Sequence, residues 1–159
     1  MLPLHTSFQY RSSPSGFTLI EALLVVAILA VLLAIALPRY QDYVYRTEVA
    51  QAVQDISALS VRIKHYQLDE RAFPDDLADI GADQMRDPWG YPYRYVNLTD
   101  PANKNEARKD KHLHPLNSDF DLYSIGRDGK TVKPLTAQPS HDDVLRANDG
   151  TFIGLGKDY

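Results

Sequence analysis

The chain has 159 residues, a formal net charge of −4 and no cysteine. This length suffices for one modest domain together with a membrane anchor. Because disulfides are excluded, a folded domain must be held by its core, by a metal or by neighbouring subunits. The acidic balance gives no general attraction to nucleic acid, and we expect no nucleic-acid partner.

The N-terminal region combines a polar leader with an apolar run. Ser12–Gly16 contains Pro14 and is not expected to be helical. Phe17–Leu37 then spans 21 residues, about 31 Å as a helix, which matches a bilayer core of about 30 Å. A secretory signal peptide would be cleaved after its apolar run. No such site follows Leu37, so we expect the run to be retained as a single membrane span.

Helical periodicity continues beyond the apolar run. Pro38 lacks a backbone donor and is predicted to bend or locally open the helix. Apolar residues then recur at spacings of three or four and form one stripe, namely Val49, Val53, Ile56, Leu59, Ile63 and Tyr66. The pattern predicts one long helix from about Phe17 to about Leu68, with its second half packed on a small domain.

The C-terminal half is patterned for short strands and loops. Alternating aromatic residues over 91–95 predict one strand, and 120–125 predicts a second. A last strand or turn is expected within 144–152. The highly charged segment 99–115 has no periodicity and is predicted to be exposed and mobile. The fold class is therefore α+β, with a long N-terminal helix packed on an antiparallel sheet of about three strands.

The start of the apolar run carries a specific motif. Gly16-Phe17-Thr18-Leu19-Ile20-Glu21, followed by the uninterrupted run, resembles the processing site of type IV pilins and pseudopilins. Pro38 also falls where such pilins carry a helix-breaking proline. The resemblance implies that a prepilin peptidase cuts after Gly16 on the cytoplasmic side and methylates the new N-terminus at Phe17. Removing 16 residues from 159 leaves 143.

Glu21 is a charged residue inside the apolar helix. An ionised carboxylate there costs on the order of a few kcal/mol, so a partner is expected. The new α-amino group of Phe17 from a neighbouring subunit is a suitable cation. In a filament this pair would offset part of its desolvation and set the axial register of the subunits. The alternative is an interfacial Glu21 that only reaches water.

The C-terminal half resembles the major pseudopilins of type II secretion systems. The resemblance lies in Asp87-Pro88-Trp89-Gly90-Tyr91-Pro92-Tyr93, in Ser118–Gly129 and in the acidic pair Asp142-Asp143. It implies a pilin fold and a structural function, in which subunits polymerise into a helical homopolymer that helps to export folded proteins. The implied partners are other copies of the chain, the prepilin peptidase, an inner-membrane assembly platform and minor pseudopilins.

The same resemblance gives the domain limits and the location. We expect a cleaved leader at 1–16, a transmembrane and assembly helix at 17–38, and a globular domain at 39–159. The globular domain is expected in the periplasm, tethered by a single pass in the bacterial inner membrane before assembly. The filament would then lie in the periplasm or at the cell surface.

The resemblance also implies a calcium ion. The expected ligands are the carbonyl of Ile125, the side chain of Asp128, Ser140 by its carbonyl, and the carboxylates of Asp142 and Asp143. Such oxygen ligands suit a hard cation. An ion joining these two segments would close a long loop that this chain cannot close with a disulfide. The simpler alternatives are an Asp-Gly turn at Asp128 and a solvated pair or helix cap at Asp142-Asp143.

Two other functions stay open. One is a type IV pilin or minor pilin acting in adhesion, motility or DNA uptake, and the other is an anchored domain that never polymerises. His112 and His114 form a possible transition-metal pair, and Lys104–Lys111 a possible DNA contact, although a solvated loop is the simpler interpretation of both. No catalytic triad order, phosphate-binding loop or metalloprotease motif is present, so we expect no enzyme.

Overall fold

The computed structural model describes residues 16–159. The predicted leader, apart from Gly16, lies outside these residues. The chain divides into two units, the first ending at Gln41 and the second running from Asp42 to Tyr159. One helix, α1 (Leu19–Glu70, 52 residues), begins in the first unit and ends in the second. The predicted long helix is therefore confirmed, and Pro38 lies inside it without ending it.

In the first unit the apolar side chains of α1 are exposed. Large hydrophobic residues from Leu19 to Leu37 are all about half exposed or more. Among the described residues, α1 is the one helix that has the length and composition to cross a membrane. So much contiguous apolar surface is stable only when lipid or other apolar helices cover it.

The second unit contains a four-stranded antiparallel sheet in the order β1-β2-β3-β4. The strands are β1 (Arg94–Asn97), β2 (Phe120–Ser124), β3 (Val144–Ala147) and β4 (Phe152–Leu155). The register places Tyr95 opposite Leu122 and Tyr123 opposite Leu145. Short 3-10 helices lie in the connections, at Pro101–Glu106, Gln138–Ser140, Asn148–Gly150 and Gly156–Asp158.

The core lies between the second half of α1 and the sheet. Ile56, Leu59 and Ile63 are fully buried and belong to one cluster with Phe120 and Val144. Burying an aliphatic side chain of this size stabilises the fold by about 1.5–3 kcal/mol. The predicted apolar stripe thus faces the sheet. A second, smaller cluster contains Leu116, Leu135, Leu145 and Ala147.

The sheet differs from its prediction at both ends. The first strand begins only at Arg94, because Pro92 has no N–H to donate to the ladder and makes an isolated bridge to Arg86. The segment 144–152 contributes to two strands, since Asn148, Asp149 and Gly150 adopt positive φ and turn the chain between them. The expectation of about three strands was therefore one too few.

The prediction that segment 99–115 is exposed and mobile is wrong for its central part. Ala107 and Arg108 are buried. Lys109 N donates to Lys133 O at 3.1 Å, and Leu135 N donates to Lys109 O at 2.9 Å. These backbone bonds fix the segment beside the loop that precedes β3.

Candidate functional site

The N-terminus of α1 is closed by a reciprocal pair. Glu21 Oε2 accepts hydrogen bonds from Thr18 N at 3.0 Å and from Thr18 Oγ1 at 2.9 Å. Glu21 N in turn donates to Thr18 Oγ1 at 3.3 Å. This is a capping box, in which a Thr and a Glu three residues later satisfy backbone donors that a helix start leaves open. Among residues 16–159, no donor reaches Glu21 Oε1.

The processing residues lie just ahead of this cap. Gly16, Phe17 and Thr18 precede the first helical residue, and the side chain of Phe17 is 83% exposed. The Thr-x-x-Glu spacing that signals the cap is visible in the sequence, but the sequence analysis considered Glu21 as a partner for another subunit or as an interfacial residue that reaches water, and not as a cap. The structure adds a role for Glu21 within its own chain.

The structure brings the Ile125–Asp128 turn against Asp142. Asp128 N donates to Asp142 Oδ2 at 3.0 Å, while Asp128 Oδ1 accepts from Lys130 N at 2.8 Å. Gly126 has a φ of +69°, and a Cβ at this position would lie 2.5 Å from the Asp142 carbonyl oxygen. Only glycine allows this approach. The two segments predicted to hold an ion therefore do meet.

The remaining two predicted ligands are buried. Ser140 Oγ accepts from Val132 N at 3.1 Å and donates to Val132 O at 2.7 Å, so its hydroxyl is already engaged. Asp143 Oδ2 accepts from Arg108 Nη2 at 2.5 Å and from Thr131 Oγ1 at 2.6 Å. Asp143 Oδ1 is buried and has no hydrogen-bond partner within residues 16–159. Burial raises the pKa of the Asp143 carboxyl, and Arg108 opposes that shift.

The donor set agrees with calcium in chemistry. All the predicted ligand atoms are oxygens, and the unpaired Oδ1 of Asp143 is the kind of buried acceptor that a cation satisfies. However, no group of three His, Asp or Glu side chains with metal-site geometry occurs in the described part of the chain. The calcium site therefore stays a prediction, and Arg108 already places a positive charge on one of its carboxylates.

Arg108 is the residue that sequence reasoning missed. Its Nη1 donates to Thr131 Oγ1 at 2.7 Å, its backbone N donates to Asp121 Oδ2 at 2.7 Å, and its guanidinium carbon lies 4.3 Å from the centre of the Tyr123 ring. In the sequence it stands among lysines that are exposed. Its partner Asp143 is 35 residues away, and nothing in the sequence signals such a pair.

Two further candidates from the sequence are the histidine pair of segment 99–115, as a metal site, and the basic run Lys104–Lys111, as a DNA contact. His112 and His114 are exposed on segment 99–115, and within residues 16–159 they belong to no group of three or more side chains that could hold a metal ion. The basic run is divided, since Lys104 and Lys109 are exposed whereas Arg108 is buried. Arg108 therefore does not contribute to an exposed basic surface.

Comparison with known proteins decides the family. Residues 11–37 match the family model described as the prokaryotic N-terminal methylation motif. The chain is 32% identical over 141 residues to the type II secretion system core protein G of Pseudomonas aeruginosa strain PAO1, covering 76% of this chain and 88% of that protein. The chain belongs to the type IV pilin-like family.

Pilins proper are also similar to this pilin-like chain. It is 30% identical over 146 residues to the type IV major pilin protein PilE of Neisseria gonorrhoeae, covering 85% of this chain and 86% of that protein. A fimbrial protein of Pseudomonas aeruginosa is 61% identical over 44 residues, or 28% of this chain and 29% of that protein. No solved structure matches the chain. The family resemblance and the α+β pilin fold are thus confirmed.

Proposed function

We propose that this pilin-like protein is a structural subunit of a type II secretion pseudopilus, which polymerises through α1 and helps to export folded proteins. The observation that carries the proposal is the 32% identity to core protein G across 88% of that relative. The names of the relatives describe fibres and a secretion system, which supports a structural role without catalysis.

The exposed first half of α1 supports polymerisation through that helix. Before assembly, lipid of the bacterial inner membrane covers its apolar surface, and the globular domain faces the periplasm. After assembly, the helices of neighbouring copies replace the lipid. Processing by a prepilin peptidase after Gly16 gives Phe17 a free amino group, and Glu21 of the next subunit is its partner. An inner-membrane platform and minor pseudopilins complete the proposed set of partners.

A test of assembly uses Glu21→Ala in the full chain, expressed in the bacterium that encodes it. The expected result is a protein that still inserts into the membrane and forms no filaments, with loss of export of folded proteins. Glu70→Ala is the matched control, since Glu70 is an exposed carboxylate at the far end of α1. Filaments in the Glu21→Ala strain at the wild-type level would contradict a role for Glu21 in assembly. Absence of filaments from wild type and variant alike, with function intact in both, would favour an anchored domain that never assembles.

The second candidate function is a type IV pilin of the cell surface, in adhesion, motility or DNA uptake. It is favoured by the 30% identity to PilE over 86% of that protein. A strain lacking the gene separates the two functions. Loss of export with normal twitching supports the pseudopilus, whereas loss of twitching or surface filaments with normal export supports the pilin.

Calcium is the proposed ion of the globular domain, held by Ile125, Asp128, Ser140, Asp142 and Asp143. The hydrogen bond between Asp128 N and Asp142 and the unpaired Asp143 Oδ1 support this site. When bound, the ion would neutralise the carboxylates and join the turn after β2 to the segment before β3.

Thermal unfolding of the detergent-solubilised full chain tests the ion, with Trp89 emission as the signal because this is the sole tryptophan. Calcium at 100 times its dissociation constant stabilises the folded state by about 2.7 kcal/mol, which raises Tm by several degrees relative to chelator. Asp142→Asn is expected to lose this shift. Asp69→Asn, an equal charge change at an exposed position of α1, should keep it. An absent shift in wild type would overturn the calcium proposal alone.

A further inference from the structure

Asp143 is already neutralised by a side chain of its own protein. Arg108 Nη2 lies 2.5 Å from Asp143 Oδ2, and the two side chains are 3% and 0% exposed. Thr131 Oγ1 completes the contact, since it donates to Asp143 Oδ2 and accepts from Arg108 Nη1. The guanidinium therefore binds one oxygen of this carboxylate, whose other oxygen is buried and lacks a hydrogen-bond partner in the described part of the chain.

We propose that Arg108 is a built-in cation that competes with calcium for Asp143 and so sets how much calcium the domain requires. The inference rests on the calcium site proposed above. It assigns to segment 99–115 a specific task, which is to bring a positive charge under the loop before β3. The backbone bonds at Lys109 and the bond from Arg108 N to Asp121 Oδ2 hold that charge in place.

Two physical effects both predict that calcium binds more tightly when Arg108 is removed. A fixed positive charge beside an ion site repels a divalent cation, and the repulsion is strong where water is excluded. Removal of Arg108 would also leave Asp143 buried and uncompensated, a state that costs several kcal/mol unless another cation takes its place. Bound calcium should therefore stabilise the folded variant by more than it stabilises folded wild type. By linkage, the factor by which Arg108 weakens calcium binding equals the factor by which calcium weakens the Arg108 contact.

The charge that acts on Asp143 comes from Arg108 and not from the neighbouring Lys133. Lys133 is a second cation close to this segment, but it is bound to Glu106 Oε1 at 3.3 Å and Asn105 O at 2.7 Å, and its side chain is 46% exposed. Solvent screens such a charge. Within residues 16–159, Arg108 is the one cation that forms a salt bridge with Asp143.

The experiment is a calorimetric titration of calcium chloride into the detergent-solubilised full chain, for wild type and Arg108→Gln. The dissociation constant is expected to fall at least about fivefold in the variant, the lower end of a typical coupling between two sites. Unfolding followed by Trp89 emission provides a second readout. In chelator, Arg108→Gln should have a lower Tm than wild type, and calcium should raise its Tm by more than it raises that of wild type.

Two control variants separate charge from structure. Lys133→Gln removes an equal charge from a neighbouring exposed position and should change the calcium dissociation constant by no more than about twofold. Arg108→Lys keeps the charge but loses the planar fork, and its calcium affinity should stay near that of wild type. If Arg108→Gln is unfolded in chelator, recovery of the folded Trp89 emission on adding calcium chloride supports the proposal.

The outcomes distinguish this inference from the proposals on which it rests. Unchanged or weaker calcium binding by Arg108→Gln, with normal binding by wild type, overturns the competition and leaves the calcium site intact. Binding by Arg108→Gln but not by wild type supports a strong form, in which Arg108 has taken the place of the ion. No binding by either protein overturns both the site and the competition. Filament assembly and export are measured separately and depend on neither result.

Discussion

Thr18 and Glu21 hold each other at the N-terminus of α1 by three hydrogen bonds of 2.9–3.3 Å. Glu21 thereby satisfies a backbone donor of its own helix with one carboxylate oxygen. Cleavage after Gly16 would leave both residues in the mature chain. Two roles of Glu21 are thus compatible, because Oε2 caps the helix while Oε1 stays available to an amino group of another subunit.

Glu21→Gln separates these two roles. The amide oxygen can still accept from Thr18, so the cap should persist and the protein should insert normally. The negative charge is lost, so a buried pair with the amino group of Phe17 cannot form, and we expect few or no filaments by electron microscopy of sheared cells. The matched control is Glu70→Gln. Wild-type filament yield from Glu21→Gln would mean that Glu21 acts only as a cap.

The hydroxyl of Tyr93 links the loop before β1 to α1, donating to Asp55 Oδ2 at 2.8 Å. Tyr93 is 5% exposed, and burial together with Asp55 raises the pKa of its hydroxyl. Because hydrogen bonds to charged groups contribute about 1.5–3 kcal/mol, Tyr93→Phe should lower the free energy of unfolding by about that amount. Chemical unfolding monitored by Trp89 emission measures it.

Tyr43→Phe is the control for Tyr93→Phe, since Tyr43 also lies on α1 and is 70% exposed. Its effect should stay within about 0.5 kcal/mol. Equal losses from the two variants would show that the bond to Asp55 contributes no more than a surface hydroxyl does.

The periodicity of apolar residues along the sequence was enough to predict the long helix and the strand around Phe120. The spacing of Ile56, Leu59 and Ile63 is fixed by the helical repeat, so the buried face of α1 could be identified before the structure. The alternation around Phe120 likewise identified β2. Pro92 was the available warning that the aromatic run would not pair along its whole length, since proline cannot donate to a ladder.

The features that sequence reasoning missed depend on contacts between distant segments. Arg108 resembles its lysine neighbours in the sequence, and only the fold brings it to Asp143, Thr131 and Tyr123. A charged segment without periodicity suggests solvent exposure on average. That average fails where one of its residues finds a buried partner, which is the case at Arg108.

We expect the free energy of unfolding to depend on pH through the carboxyl group of Asp121. Its carboxyl is buried, and burial raises its pKa, although the Arg108 amide and Asn117 oppose this. The folded state therefore keeps the proton to a higher pH than the unfolded state does. The resulting stabilisation is present below the ordinary pKa and is lost as pH rises through the raised value. Relative to Asp121→Asn, wild type should gain stability as pH falls from about 7 to about 4.

Asp149 provides the opposite case for comparison. Slight burial raises its pKa, but hydrogen bonds from Ser118 N at 2.7 Å and Ser118 Oγ at 2.9 Å outweigh it, and the pKa is lowered. Its contribution is present above the ordinary pKa and is lost as pH falls. Relative to Asp149→Asn, wild type should therefore lose stability toward acid. Parallel sloping pH profiles for the two variant pairs, measured by chemical unfolding, would contradict one of the two assignments, and flat profiles would contradict both.

Gly126 is the position where backbone geometry bears most directly on the predicted ion site. Its φ is +69°, and a Cβ would lie 2.5 Å from the carbonyl oxygen and 2.7 Å from the Cγ of Asp142. Gly126→Ala should therefore add a clash to the strain of a left-handed residue, which alone costs about 1–2 kcal/mol. The clash cannot be relieved without moving Asp142 away from the turn.

Gly90→Ala isolates the strain from the clash, because Gly90 has a φ of +92° and nothing lies within 4 Å of a Cβ placed there. Overpacking costs about 1–3 kcal/mol, and Gly126→Ala should exceed Gly90→Ala by about this amount in chemical unfolding. Because it displaces Asp142, Gly126→Ala should also reduce the calcium-dependent rise in Tm, which Gly90→Ala should keep. Equal costs for both variants would mean that the turn moves freely relative to Asp142, and the close approach would then contribute nothing to an ion site.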